Sequence, residues 1–116
     1  MPGDLAHHLE MNRVTWAELR ESGVTEETEV RLDFRFDAPG QHQAETLARA
    51  IRDRTDYEVE ARFDKIGLLG RQTWTVEGTT QPATLALAEL DEWVTRMVEW
   101  GSAHTCEFDG WGAQVP

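Results

Sequence analysis

The chain has 116 residues, with 22 acidic and 11 basic side chains and a formal net charge of −11. That length is one ordinary domain, enough for a core that needs neither disulfide nor metal. The charge repels nucleic-acid phosphates and favours a partner with a basic segment. The single cysteine, Cys106, leaves no intramolecular disulfide framework and fits a reducing cytoplasm. The opening Met1-Pro2-Gly3-Asp4 has neither the basic region nor the apolar run of a signal peptide. No stretch approaches the ~18 apolar residues of a membrane span.

Residues 1–12 are polar and are expected to be flexible, with His7-His8 as frayed helix. Residues 14–22 read as a short helix that buries Val14, Ala17 and Leu19 and stops at Gly23. A loop follows at 25–28. Residues 29–37 carry the cleanest pattern in the chain. Val30, Leu32, Phe34 and Phe36 alternate with Glu29, Arg31, Asp33, Arg35 and Asp37. A period of two predicts a strand with one buried and one wet face. Residues 43–54 place Ala44, Leu47, Ala48 and Ile51 on one helical stripe.

A second alternation, Tyr57, Val59, Ala61 and Phe63 against Glu58, Glu60 and Arg62, predicts a second strand. Residues 64–70 have the length of a hairpin connection, and 71–77 form a third strand with Trp74 and Val76 inward. Pro82 marks the start of a long helix running to about Trp100. Its buried seam is Leu87, Leu90, Val94 and Met97, Trp93 flanks it, and Gly101 stops it. Cys106 and Phe108 supply the inward positions of a fourth strand, which closes on the run Glu107-Phe108-Asp109-Gly110-Trp111-Gly112.

This order is a helix followed by β-α-β-β-α-β. It predicts an α+β protein, a ferredoxin-like sandwich with an extra N-terminal helix, as one domain over 1–116. The open sheet face would carry Arg31, Asp33, Arg35, Glu58, Glu60, Arg62, Thr73, Thr75 and Glu77.

Several chemistries are weighed against these residues. His104 and Cys106 are potential zinc ligands, but no second pair lies at useful spacing. A Cys-His nucleophile fares no better, because nothing orients the His and a buried thiol is poorly ionised. Asp33, Glu58 and Glu60 are interleaved with arginines, so cross-strand pairing accounts for them more simply than acid/base chemistry does. An RNA-binding sheet of this topology stacks bases on outward aromatics. Here the outward positions are charged and Phe34, Phe36 and Trp74 are in the inward phase. No metal, cofactor or direct nucleic-acid contact is therefore expected.

Apolar anchors remain as candidates for protein contact. Trp16 is expected to be exposed, because its helix is short and outlying. Trp93 and Trp100, seven residues apart, share one helix stripe, in the core or at its edge. Ile66, Leu68 and Leu69 place large apolar residues in a loop, where they serve either a partner or a self-association contact, or fold back over the core. Asp109-Gly110-Trp111-Gly112 has two readings as well: a partner-binding element, or a bend capped by Asp109 with Trp111 sealing the core.

The closing run resembles the ribonuclease E inhibitor family, the regulators of ribonuclease activity B, whose domain ends in Tyr-Asp-Gly-Trp after its last helix. Here Phe108 replaces the Tyr. Glu18-Leu19-Arg20-Glu21-Ser22-Gly23 looks like the family's opening helix and its terminal Gly, and Tyr57-Glu58-Val59 like its second strand. The resemblance implies a non-catalytic protein of bacterial, cytoplasmic type. It would bind an endoribonuclease, not the RNA, and so lower RNA degradation. Family members often continue into a long acidic tail, and with the sequence running to Pro116 any contact by such a tail is expected to be missing. The candidate partner-binding residues are Trp16, Asp33, Glu58, Glu60, Leu68, Asp109 and Trp111. Two other readings stay open. A small-molecule-binding domain would need a pocket with converging polar groups. A homo-oligomeric module would show itself by concentration-dependent sedimentation.

Overall fold

The computed structural model describes residues 5–114. Helix α1 spans Leu5–Glu21, followed by strand β1 (Arg31–Ala38), helix α2 (Gln41–Arg54) and strand β2 (Glu58–Ile66). A short 3₁₀ turn, Leu68–Gly70, leads to strand β3 (Gln72–Thr79), helix α3 (Leu87–Ala103) and strand β4 (Glu107–Gln114). The four strands form one antiparallel sheet in the order β2-β3-β1-β4, making this an α+β structure of three helices and one sheet.

The alternation of β1 holds residue by residue. Leu32, Phe34, Phe36 and Ala38 are buried, and Arg31, Asp33, Arg35 and Asp37 are not. The buried face meets Leu47 and Ile51 of α2 and Leu90, Trp93, Val94 and Met97 of α3 in one core. Phe36 stacks edge-on with Phe108 at 5.3 Å and Phe34 with Trp93 at 6.2 Å. Both phenylalanines use space that only glycine leaves. Gly78 faces Phe34 across the β1–β3 ladder, and Gly101 of α3 lies against the Phe36 ring. The helix thus runs through Gly101 to Ala103, a correction to the expected stop. It ends instead where Thr105 adopts a left-handed φ of 60° and the Cys106 N–H returns to the Gly101 carbonyl at 2.8 Å.

Three further expectations are corrected. Residues 5–12 are helical and Asn12 is fully buried, so this part of the expected flexible segment is structured; residues 1–4 lie outside the described residues. The inward stripe of α1 runs through Leu5, Asn12, Trp16 and Leu19, while Val14 and Ala17 are exposed. Asn12 explains why: its amide donates to Asp91 Oδ1 of α3 at 2.9 Å, and its carbonyl accepts from the Trp111 indole of β4 at 2.7 Å. A polar residue thus occupies the helix's central inward position. Gly23, at φ 104°, ends the helix region as expected. Trp16, expected to be exposed, is 8% exposed and belongs to the core.

Helix α3 begins at Leu87, not at Pro82, because the segment before it extends the sheet. Val30 and Ala83 exchange both backbone hydrogen bonds at 3.0 Å, and Thr80 bonds Leu32 through backbone and hydroxyl. The β2–β3 hairpin is longer than expected, with Lys65 and Ile66 still in strand. Phe63, in the inward phase of the expected strand, is 48% exposed, its ring meeting that of Trp74 edge-on at 5.9 Å.

A Cβ added to Gly78 would overlap the Phe34 ring and lie 2.5 Å from the Glu58 carbonyl oxygen. Gly78→Ala is therefore expected to cost ~2–3 kcal/mol as an overpacked core. The check is a lower urea midpoint with an unchanged slope.

Candidate functional site

The open face of the sheet is built in rows across the strands. One row reads Glu58, Thr79, Asp33, Gly112; the next reads Glu60, Glu77, Arg35, Gly110. The two β4 positions in these rows are glycines, so that side of the face has no side-chain wall. A groove of about 820 Å³ lies over them. Asp33, Glu58, Glu60, Asp109 and Trp111 all border it.

Arg35 is the centre of the face. Its guanidinium lies 3.7 Å from Asp37, 3.8 Å from Glu77, and 3.9 Å from both Asp64 and Asp109. Asp64 and Asp109 reach it for the same reason. The register skips one residue between Phe63 and Lys65 on β2, and another between Phe108 and Gly110 on β4. Each skipped residue is an aspartate at a β-bulge, where a strand re-aims a side chain. Arg62 adds a second node, 3.8 Å from Glu60 and 3.3 Å from Glu77. Asp33 accepts from the Thr79 hydroxyl at 2.9 Å and from the Gln114 amide at 2.7 Å. Carboxylates nevertheless outnumber guanidiniums on this face, and Glu58 forms no ion pair among the described residues.

The crowding shows in Asp37. Burial pushes its carboxyl above the ordinary 3.8; Asp109, Glu107 and Asp64 push the same way, and Arg35 opposes them. On the other side of the sheet, burial raises the Cys106 thiol to about 11, so it is neither a nucleophile nor a ready metal ligand at neutral pH. Among the described residues no group of three or more His, Cys, Asp or Glu could hold a metal ion. No helix among them is long and apolar enough to cross a membrane.

The remaining sequence candidates separate. Trp16 is buried in the core and does not border the groove. Leu68 is 92% exposed at the hairpin tip, beside Leu69, which is fully exposed with φ 64°. Trp111 borders the groove but spends its indole N–H on Asn12. Arg35 and Asp64 were not among the candidates. The alternation placed Arg35 on the wet face, but only the bulges reveal it as the point where the carboxylates converge.

The described residues thus define an α+β domain with an acidic sheet face and two exposed leucines at the tip of a hairpin. The sequence model of the family described as regulator of ribonuclease activity B matches residues 9–113. The chain belongs to that family. Comparison with individual curated proteins gives no match.

Because the folded state holds the Asp37 proton more tightly than the unfolded chain, ionisation of Asp37 penalises folding. The penalty is absent below pH 3.8 and complete once pH exceeds the raised value. Asp37→Asn is expected to be more stable than the parent at pH 7, with the advantage shrinking as pH falls towards 3.8. Denaturant midpoints across this range provide the check; a less stable variant at pH 7 would show that Asp37 is a net stabiliser.

Proposed function

We propose that this chain is a cytoplasmic, non-catalytic regulator that binds an endoribonuclease of the ribonuclease E type and restrains its cleavage of RNA. The family match over 9–113 carries this reading. The strand order and the two helix crossovers support a ferredoxin-like arrangement, acting as one regulator domain.

The groove suits a basic segment of the partner. Arg35 and Arg62 neutralise part of the face and hold its carboxylates in place, while Glu58, Glu60 and Asp33 border the free space. A lysine- or arginine-rich strand laid over Gly110 and Gly112 would approach the sheet backbone without steric opposition. Opposite charge steers such an encounter, and desolvated apolar contacts hold it. Leu68 and Leu69 supply those contacts at the tip of the same sheet.

The double reversal Glu58→Lys with Glu60→Lys is expected to weaken association with a purified ribonuclease E-type enzyme by ~10-fold or more and to relieve inhibition of RNA cleavage in parallel. Parent binding should also weaken as salt rises, since exposed charges are screened. Unchanged inhibition by the double variant would overturn the groove as the contact surface. No association of the parent at low salt would overturn the nuclease reading itself.

Leu69 has a left-handed backbone and a side chain in solvent, a combination that stability alone does not favour. Leu69→Gly is expected to raise stability by up to ~1 kcal/mol while weakening partner binding. Thermal unfolding and binding measured on one preparation would test the two effects together; a variant that binds as well as the parent removes the tip from the interface.

A further inference from the structure

A second concavity, sharing no residue with the groove, opens between the end of α2 and the middle of α3. It has a volume of about 550 Å³, within the range of small-molecule sites. Its lining is basic and aromatic, in a chain whose net charge is −11. Arg54 and Arg96 border it with Tyr57, Trp93 and Trp100, and Glu99 is the one carboxylate present. Among the described residues neither guanidinium has a side-chain hydrogen bond or an ion pair. The Trp93 indole donates to the Tyr57 hydroxyl at 3.1 Å, so Tyr57 keeps its own proton to donate. Trp93 is buried and held by the core; Trp100 and Tyr57 are half-buried.

This inventory selects a ligand. Partly exposed aromatic faces take a planar ring by stacking. Two unpaired guanidiniums match a group carrying close to two negative charges, and a phosphate monoester carries about −1.5 to −2 at neutral pH. A carboxylate carries one negative charge and would neutralise only half of theirs. Arginine's fork fits phosphate oxygens in pairs. The Tyr57 proton adds a neutral donor, and Glu99 an acceptor for a ribose hydroxyl or a ring amine. We propose that this pocket binds a nucleoside monophosphate, with its base against Trp100 or Tyr57 and its phosphate between Arg54 and Arg96.

The same chemistry is offered by a free mononucleotide and by the phosphorylated end of an RNA. The net charge of −11 penalises every further phosphate of a longer chain, which favours the free nucleotide. Hydrolysis of RNA to its monomers is the class of reaction that supplies such a ligand. The site does not depend on the nuclease reading and is tested without a partner protein.

The test is calorimetric titration of the full chain with adenosine 5′-monophosphate, adenosine, inorganic phosphate and a 5′-phosphorylated tetra-adenylate, with the tryptophan indole N–H signals followed by NMR. The monophosphate is expected to bind with a Kd of ~0.1–1 mM and to shift the Trp100 signal. Adenosine alone and phosphate alone should each bind at least ~10-fold more weakly. Arg54→Gln and Arg96→Gln should each weaken the monophosphate by ~10-fold or more, and Arg20→Gln on α1, outside the pocket, should not. Melting curves that match the parent's show that the variants are folded. Tetra-adenylate binding more weakly than the monophosphate assigns the site to free nucleotide; tighter binding assigns it to RNA ends and overturns the preference for the monomer. No binding of the monophosphate at ~10 mM, equal binding of phosphate alone, or indifference to both arginine substitutions overturns the site.

Discussion

The contact between the Phe36 ring and Gly101 sets the geometry of this domain. Phe36 is fully buried in β1, one of the two strands that pair on both sides. A Cβ on Gly101 would lie 2.9 Å from the ring, so α3 sits closer to the sheet than any other residue there would allow. That approach brings Trp93 within ring contact of both Phe34 and Phe108, and the Cys106 N–H within reach of the last turn of α3. Core packing is dense enough that a single methylene at such a point is felt. The helix layer is thus registered against the sheet by one aromatic ring and one missing side chain.

The opposite face of β1 is organised by charge. Arg35 stands one residue from Phe36, and four carboxylates from three other positions on the sheet and from β1 itself turn towards it. Two of the four reach it only because β2 and β4 each carry an extra residue. Each exposed ion pair contributes little by itself. Together they tie residues of all four strands to one side chain. The glycines of β4 complete the groove by leaving the backbone uncovered.

What was legible in the sequence follows from how strongly each element depends on local pattern. The alternation of β1 needed no tertiary information, because one strand face is wet and the other dry wherever a helix layer covers one side. The α2 stripe was legible for the same reason. Helix α1 was not, since Asn12 sits at its innermost point and breaks the apolar period; the residue is tolerated because Trp111 and Asp91 satisfy both ends of its amide. Pro82 offered a good helix start, but the carbonyl and N–H groups of Val30 competed for that segment and won. Gly101 looked like a stop because local rules cannot see the ring it accommodates.

The charge of the surface, the order of the elements, the inward phases of β1 and of the start of β2, and the motif at Asp109-Gly110-Trp111 were all present in the one-dimensional chain, because each arises from neighbours within a few residues. The meeting of Asp64 and Asp109 at Arg35, the burial of Trp16, the projection of Leu68 and Leu69, and the pairing of Arg54 with Arg96 around one pocket were decided only on folding. These join residues far apart in the chain, and their distances depend on bulges, strand lengths and helix placement that no local preference specifies.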